Sequence, residues 1–245
     1  MLTNDRIEES VLNAWPGLQQ VLLDGWVLRF SNGYTFRANS VHVLHPSRLD
    51  VSRKIEMCEA LYRAKNLPPI FRITPQAVAE GLDERLEKRG YPRGNDSLVL
   101  GLDAIDPAPA DEQHALHVHD NIDEWLALYS HFKRVPLATQ TTHRAIVSLV
   151  PAGRVLASIQ VEGVAVACAM GVVDQDLFGV YDVVVDPDHR NRGCGRQLMS
   201  ALLNWAARNG ARRAYLLVDA DNAPALSLYT RLGYRTLYPY WYRRH

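Results

Sequence analysis

The sequence lacks the features that define several large protein classes. No stretch of about 18 or more apolar residues occurs in its 245 positions, which argues against a helical membrane span. It has only three cysteines, Cys58, Cys168 and Cys194, odd in number and widely spaced, so they form neither a disulfide framework nor a CxxC metal site. The opening MLTNDRIEESVLNAWPGL lacks the basic segment and apolar core of a secretory leader. Net charge is missing as well: Lys plus Arg and Asp plus Glu each total 27, so no global field draws the chain to nucleic acid or to a lipid surface. The expectation is a cytoplasmic protein whose function involves no membrane, no nucleic acid and no metal.

What is present suits one large or two small globular domains, with 47% hydrophobic and 22% charged residues. The balanced charge hides a local excess. From Pro187 to His245 there are ten Arg and no Lys against Asp188, Asp219 and Asp221, an excess of seven positive charges that predicts an anionic ligand. The segment 105–113, IDPAPADEQ, is rich in Pro, Ala and acid and carries no hydrophobic period. It is read as a linker between a first domain, 1–104, and a second, 114–245.

Before the linker, EESVLNAWPGLQQV reads as a short helix and GWVLRFSNGYTFRANSVHVL as a hairpin turning at Asn32 and Gly33. RLDVSRKIEMCEALYRAKN has helical spacing, and PPIFRIT, a helix over 81–88 and SLVLGLD complete the order ββαβαβ. After the linker, LHVHD is a short strand, NIDEWLALYSHFKR a helix, and VLASIQVEGVAVACAMGVV two strands joined at Glu162 and Gly163. LFGVYDVVVDP is a third strand, RQLMSALLNWAARNG a helix that Gly210 ends, and RRAYLLVD, NAPALSLYTRL and TLYPYWY a strand, helix and strand. The alternation predicts an α/β protein with a mixed sheet.

The halves echo each other. FRITPQAVAEGLDERLEKRGY and YLLVDADNAPALSLYTRLGY both run strand, turn, helix and Gly-Tyr, and setting Gly90 on Gly233 places Leu86 at the position of Tyr229. LHPSRLDVSRKIEMCEALY likewise shadows VDPDHRNRGCGRQLMSALL, without glycines where Gly193 and Gly195 stand. A duplication whose first copy has lost its chemistry accounts for both; chance recurrence of a common turn is the alternative.

The segment VVVDPDHRNRGCGRQL carries the chemistry: an apolar strand stops at Pro187, a basic loop holds Gly193 and Gly195, and an amphipathic helix begins. Glycines let successive N–H groups converge, and a helix N-terminus adds partial positive charge, so phosphate oxygens suit this place. A glycine-rich turn with solvated arginines is the plainer account. The loop has no Gly-Lys-Ser/Thr, and no GxGxxG with an acid at ribose distance.

Arg190-Asn191-Arg192-Gly193-Cys194-Gly195 resembles the Arg/Gln-x-x-Gly-x-Gly/Ala signature of the GNAT superfamily of N-acetyltransferases, and the strand through Val183 and Val185 is similar to the one that precedes it. Asn222-Ala-Pro-Ala-Leu-Ser-Leu-Tyr229, followed by Gly233-Tyr234, resembles a second stretch of that superfamily. The resemblance is good over about 155–242 and slight before the linker. It implies a GNAT fold, in tandem if the first half is a degenerate copy, and acetyl-coenzyme A as cosubstrate. It implies that the amides around Arg190, Asn191, Arg192, Gly193, Cys194, Gly195 and Arg196 hold the pyrophosphate, that the strand Val183, Val184 and Val185 pairs with the pantetheine arm, that Asn222 contacts the coenzyme, and that Tyr229 protonates the departing sulfur.

Acyl transfer then requires an amine that loses a proton, N–H donors for the oxyanion and an acid for the thiolate. Cys194 in the phosphate loop lies too far from the thioester for a covalent route. The general base is open; Asp182 is one candidate, and a strand-edge aspartate explains it equally. His114, His117 and His119 form the only close histidine group, without a ligand-spaced acid or cysteine. Trp15, Trp26, Arg29, Tyr34, Arg37, Asn39, Tyr240 and Trp241 are candidates to line an acceptor pocket, with core packing the plainer account. The acceptor expected is a small-molecule amine, a protein amine being the alternative, and an oligomer is compatible with the sequence. A non-catalytic module that senses acyl-coenzyme A is the rival function.

Overall fold

A computed structural model describes residues 2–106, 116–151 and 153–245. Helix α1 (Asn4–Ala14) starts at Thr3, whose hydroxyl accepts from the Arg6 N–H, and buries Ile7, Val11 and Ala14 on one face. It ends before Pro16 and Gly17, so the helix expected to run on through Val21 is shorter. The residues beyond form an unexpected strand, β1 (Gln19–Leu23), which hairpins into β2 (Trp26–Phe30). Asp24 and Gly25 both take positive φ, the pair of angles a two-residue hairpin requires.

The hairpin expected at Asn32 and Gly33 is present in altered form. Its return strand β3 (Val41–Val43) starts late, because the Asn39 side chain gathers the loop 31–40 by bonding the N–H of Ser31 and Gly33 and the carbonyls of Tyr34 and Thr35. Next come α2 (Val51–Ala64), β4 (Ile70–Ile73), α3 (Pro75–Ala79), α4 (Leu82–Lys88) and β5 (Arg93–Leu102). The second half supplies β6 (His117–Val118), α5 (Ile122–Lys133), α6 (Thr141–Leu149), β7 (Arg154–Val161), β8 (Val164–Asp174) and β9 (Leu177–Val185). It ends with α7 (Cys194–Arg208), β10 (Arg213–Asp219), α8 (Ala223–Arg231) and β11 (Arg235–Arg244). Residues 107–113 of the expected linker lie outside the described residues.

The strands form one mixed sheet in the order β1-β2-β3-β4-β11-β5-β10-β9-β8-β7-β6. Its centre is the antiparallel pair β5 and β11, and the order reads alike outward in both directions. On one side β11 pairs antiparallel with β4, which is parallel to β3; on the other, β5 pairs antiparallel with β10, which is parallel to β9. Each half thus lends its last strand to the other, so the two halves share one sheet. The turns repeat too: Tyr91 donates to the Leu86 carbonyl and Tyr234 to the Tyr229 carbonyl, both at 3.0 Å, after Gly90 and Gly233 at positive φ.

Successive residues of β8 alternate between two cores, as the period of a strand demands. Ala167 and Ala169 pack with Leu198, Met199 and Leu202 of α7, whereas Cys168, Met170 and Val172 pack with α1, α5 and α6. Helix α1 belongs to the first half yet lies on β8 and β9 of the second. Arg6 binds Asp174, Tyr238 donates to Glu8 at 2.7 Å, and Glu8 pairs with buried Arg72. The face of the second half that carries Cys168, Met170 and Val172 is therefore walled by the first.

Candidate active site

Strands β9 and β10 pair only from Leu177 and Arg213 to Val180 and Leu216. Beyond that point they part: Leu217 to Asp219 stay with β5, while Val184 and Val185 stay with β8. A bulge accompanies the parting, because between the pairs Tyr181–Met170 and Val184–Cys168 two residues, Asp182 and Val183, face one, Ala169. Asp182 takes φ +53 there, a rare angle for a residue with a side chain and one that clusters at functional sites. The Asp186 N–H donates to Val166 at 2.9 Å, so by alternation Val184 also turns its main chain to β8, and Val185 turns its own into the gap. Val183, beside the bulge, is on the same side as Val185 and packs with it against the α7 core.

At the mouth of the gap a turn at Pro187–His189 leads into the loop. Asn191 and Gly193 adopt positive φ, and Arg190, Asn191, Arg192 and Arg196 are exposed. Gly193 is the N-cap of α7 and offers no side-chain cap, which leaves the first N–H groups of the helix, including those of Cys194, Gly195 and Arg196, to an outside acceptor. The corresponding end of α2 is different: the Asp50 carboxylate accepts from Arg53 N–H at 3.1 Å and fills the place an anion would take. The Cys194 side chain is buried in the α7 core.

Gly195 joins the two motifs. A Cβ built on it would meet Leu228 Cδ2 at 3.3 Å and Val185 Cγ2 at 3.5 Å, so β9, the start of α7 and α8 converge where little room is left for a side chain. On α8, Asn222 is exposed and its Oδ1 caps the helix by accepting from Ala225 N–H at 3.2 Å. Tyr229 is buried against Tyr234, and its hydroxyl takes no hydrogen-bond partner among the described residues yet is not sealed from solvent. Burial pushes its pKa up to about 12, which keeps the phenol a proton donor at neutral pH.

Because Asp182 breaks the strand alternation, Tyr181 and Asp182 both face the aromatic side of the sheet. His143 Nε2 lies 2.9 Å from Asp182 Oδ2, and its ring sits among Trp15, Tyr34, Trp125 and Tyr129. Gln140 Oε1 faces His143 Nδ1 at 3.2 Å and the Tyr34 hydroxyl at 3.3 Å. The Gln140 amide has this orientation because its Nε2 donates to Thr139 Oγ1, whose own hydrogen goes to the Pro136 carbonyl. In that arrangement the imidazole is held between Gln140 at Nδ1 and the Asp182 carboxylate at Nε2. Sequence reasoning missed His143 and Gln140; helix α6 itself was not foreseen, and only the 1,4 spacing of Trp125 and Tyr129 hinted at an aromatic wall.

Of the residues considered for an acceptor pocket, Trp15, Tyr34 and Arg37 gather around Tyr181 and Asp182. Trp26 instead packs under α2 with Lys54 over its ring, and Trp241 donates to Asp83 beneath Arg93, so both serve the sheet. Asn39 ties its own loop, and Arg29 is buried against backbone carbonyls. Tyr240 stacks under Arg72. The arginine excess of the C-terminal part is partly offset: Arg213, Arg235 and Arg243 pair with Asp176, Asp103 and Asp83. His119 bonds Ser158 Oγ, His114 lies outside the described residues, and no cluster of three metal-ligating side chains occurs among the described ones.

A mixed sheet whose parallel strands part beside a bulge, with a glycine-rich helix start at the gap, defines the class of GNAT-fold acyltransferases. The GCN5-related N-acetyltransferase from Kribbella flavida has this architecture, with a TM-score of 0.75 at 19% identity over 100% of this chain and 96% of its own. The family described as probable histone acetyltransferase Rv0428c C-terminal matches residues 5–243, and the chain belongs to it, within the GNAT superfamily of N-acetyltransferases. The probable histone acetyltransferase Rv0428c of Mycobacterium tuberculosis is 31% identical over 236 residues, 94% of this chain and 70% of that protein. The uncharacterized N-acetyltransferase YobR of Bacillus subtilis is 26% identical over 257 residues, 97% of each chain.

Proposed function

We propose that the protein moves the acetyl group of acetyl-coenzyme A onto an amine by direct attack in a ternary complex. The observation that carries this reading is the convergence of Val185, Gly195 and Leu228 at the parting of β9 and β10. The residues fit the coenzyme: uncapped amides from Cys194 to Arg196, with Arg190, Asn191 and Arg192 around them, suit the pyrophosphate, and the main chain of Val183 and Val185 suits the pantetheine amides. Val184 supports that edge through its pairing with β8, and Asn222 keeps its Nδ2 for the coenzyme. An N–H of the bulged strand stabilises negative charge on the carbonyl oxygen, and Tyr229 donates a proton to the thiolate. Asp182 Oδ1 accepts the proton of the attacking amine while His143 holds the carboxylate in place.

The first half is, on this reading, a second GNAT-like unit whose Asp50 cap and missing glycines remove the phosphate site, leaving it to wall the acceptor side. Calorimetric titration with acetyl-coenzyme A, together with thiol release on a panel of primary amines, tests both statements. One coenzyme per chain and amine-dependent thiol release are expected. Absence of coenzyme binding would refute the catalytic reading, and two coenzymes per chain the degenerate one.

A further inference from the structure

The seam between the halves carries more positive charge than it neutralises. Arg29, Arg72 and Arg37 all reach it. Arg72 pairs with Glu8. Arg29 is fully buried and bonds only the carbonyls of Leu12, Trp15 and Arg37; burial lowers its pKa to about 9. The guanidinium of Arg37 makes no ion pair at contact distance and no hydrogen bond among the described residues, and its Nε is buried without a partner; burial works against its charge, but Tyr240, Tyr181, Tyr242 and the nearby Asp182 carboxylate outweigh that and raise its pKa. Arg37 is only partly exposed, and a buried N–H donor left without an acceptor is costly, so the sealed Nε calls for an explanation.

The geometry around Arg37 is that of a receptor. Its guanidinium lies 5.5 Å from the Trp15 ring and 5.3 Å from the Tyr181 ring, with a rotamer constrained by both faces. Each wall is pinned from behind: Trp15 Nε1 donates to Thr35 Oγ1 at 3.2 Å, and the Tyr181 hydroxyl bonds that of Tyr215 at 2.6 Å. The main chain is pinned as well, since the Arg37 carbonyl accepts from Arg29 Nη1 at 3.0 Å and meets His42 Nε2 at 3.1 Å. Thr35 adopts φ +58, an angle a β-branched residue avoids, so the loop 31–40 stores strain to hold this arrangement. Backbone and walls are fixed, and the outer nitrogens of the fork alone are free. Tyr181 adjoins Asp182 on the bulge, so the fork stands beside the place where the amine would be attacked.

We propose that Arg37 binds a carboxylate on the acceptor, so that the substrate is an amine that also carries a carboxylate, the first half supplying the anion receptor and the second half the acyl-transfer groups. The planar fork matches a carboxylate in bidentate geometry, and the same positive seam disfavours a lysine-rich segment of a protein. This proposal rests on the catalytic reading given above for its placement of the amine.

The test compares amino acids and ω-amino carboxylates with their carboxamides as acceptors for the full chain, by thiol release from acetyl-coenzyme A. The carboxylates are expected to exceed their carboxamides about tenfold or more in kcat/KM, through KM. Arg37→Gln should abolish the ratio between carboxylates and carboxamides, leave coenzyme affinity unchanged, and keep the melting temperature; Arg37→Lys, which keeps the charge but not the fork, should give an intermediate ratio. Equal or better use of carboxamides, or a preference that survives R37Q, overturns the proposal. Tryptophan fluorescence, referenced to Trp15→Phe, reads binding of N-acetyl amino acids against N-acetyl amino amides without coenzyme or turnover. If coenzyme fails to bind, the catalytic reading falls, and Arg37-dependent quenching by the N-acetyl amino acids alone still supports the receptor; quenching that ignores Arg37 or the carboxylate overturns it.

Discussion

His143 Nε2 stands 2.9 Å from Asp182 Oδ2, and the two come from elements 39 residues apart, α6 and the bulge of β9. Gln140 faces Nδ1 from the other side, so the imidazole is fixed against the carboxylate, and on the proposed reading Asp182 Oδ1 takes the proton of the amine. Asp182→Asn should lower kcat by about 100-fold with coenzyme affinity retained. His143→Gln should show a smaller loss and a changed pH profile of kcat, since it positions the carboxylate without touching substrate. Stopped thiol-release assays across pH on both variants check this; an unaltered kcat in D182N would remove the pair from the reaction.

Tyr229 is buried, its hydroxyl takes no partner among the described residues, and burial pushes its pKa up to about 12. A phenol with a raised pKa stays protonated as pH rises, so it contributes no alkaline loss of activity through pH 10. Tyr229→Phe should leave the Kd for acetyl-coenzyme A unchanged while kcat drops about 100-fold. Calorimetry beside steady-state kinetics separates the two, and full turnover in the variant would exclude Tyr229 as the acid.

Gly195 sits 3.3 Å, measured from its would-be Cβ, from Leu228 and 3.5 Å from Val185. Gly195→Val would fill the gap between β9 and α8 and is expected to weaken coenzyme binding about tenfold to a hundredfold, with a smaller effect on melting. Equal affinity in wild type and variant would displace the pyrophosphate from this loop.

Asp83 ties α4 to β11, the strand that crosses into the first half. Burial opposes its ionisation, but hydrogen bonds from Arg243 and Trp241 outweigh this and hold its pKa below the ordinary 3.8. A carboxyl depressed in the folded state stabilises above its unfolded pKa and loses that contribution as pH falls through the folded one. Asp83→Asn should therefore be less stable by about 2 kcal/mol at pH 7 and nearly equal to wild type in strong acid, as read by denaturant melts across pH.

The glycine-rich start of α7 was legible because its determinants are local: Gly193 takes a positive φ, and the helix starts immediately after it. The helix that carries Tyr229, with Asn222 as its cap, was legible for the same reason, its start signal lying within one turn. The hairpin at Glu162 and Gly163 followed from turn chemistry, and both residues take positive φ. Where local patterns were ambiguous, reading failed: Pro16 and Gly17 ended α1 early, and QQVLL, too short to distinguish by period, became β1.

The sequence by itself determined the class of enzyme, since helix starts, glycine turns and strand periods act between residues close in the chain. Tertiary structure alone decided the exchange of β5 and β11, the pairing of His143 with Asp182 and the exposure of Arg37 between Trp15 and Tyr181. Those contacts join residues as many as 166 positions apart, such as Trp15 and Tyr181, and they depend on how two halves pack, which no local period records.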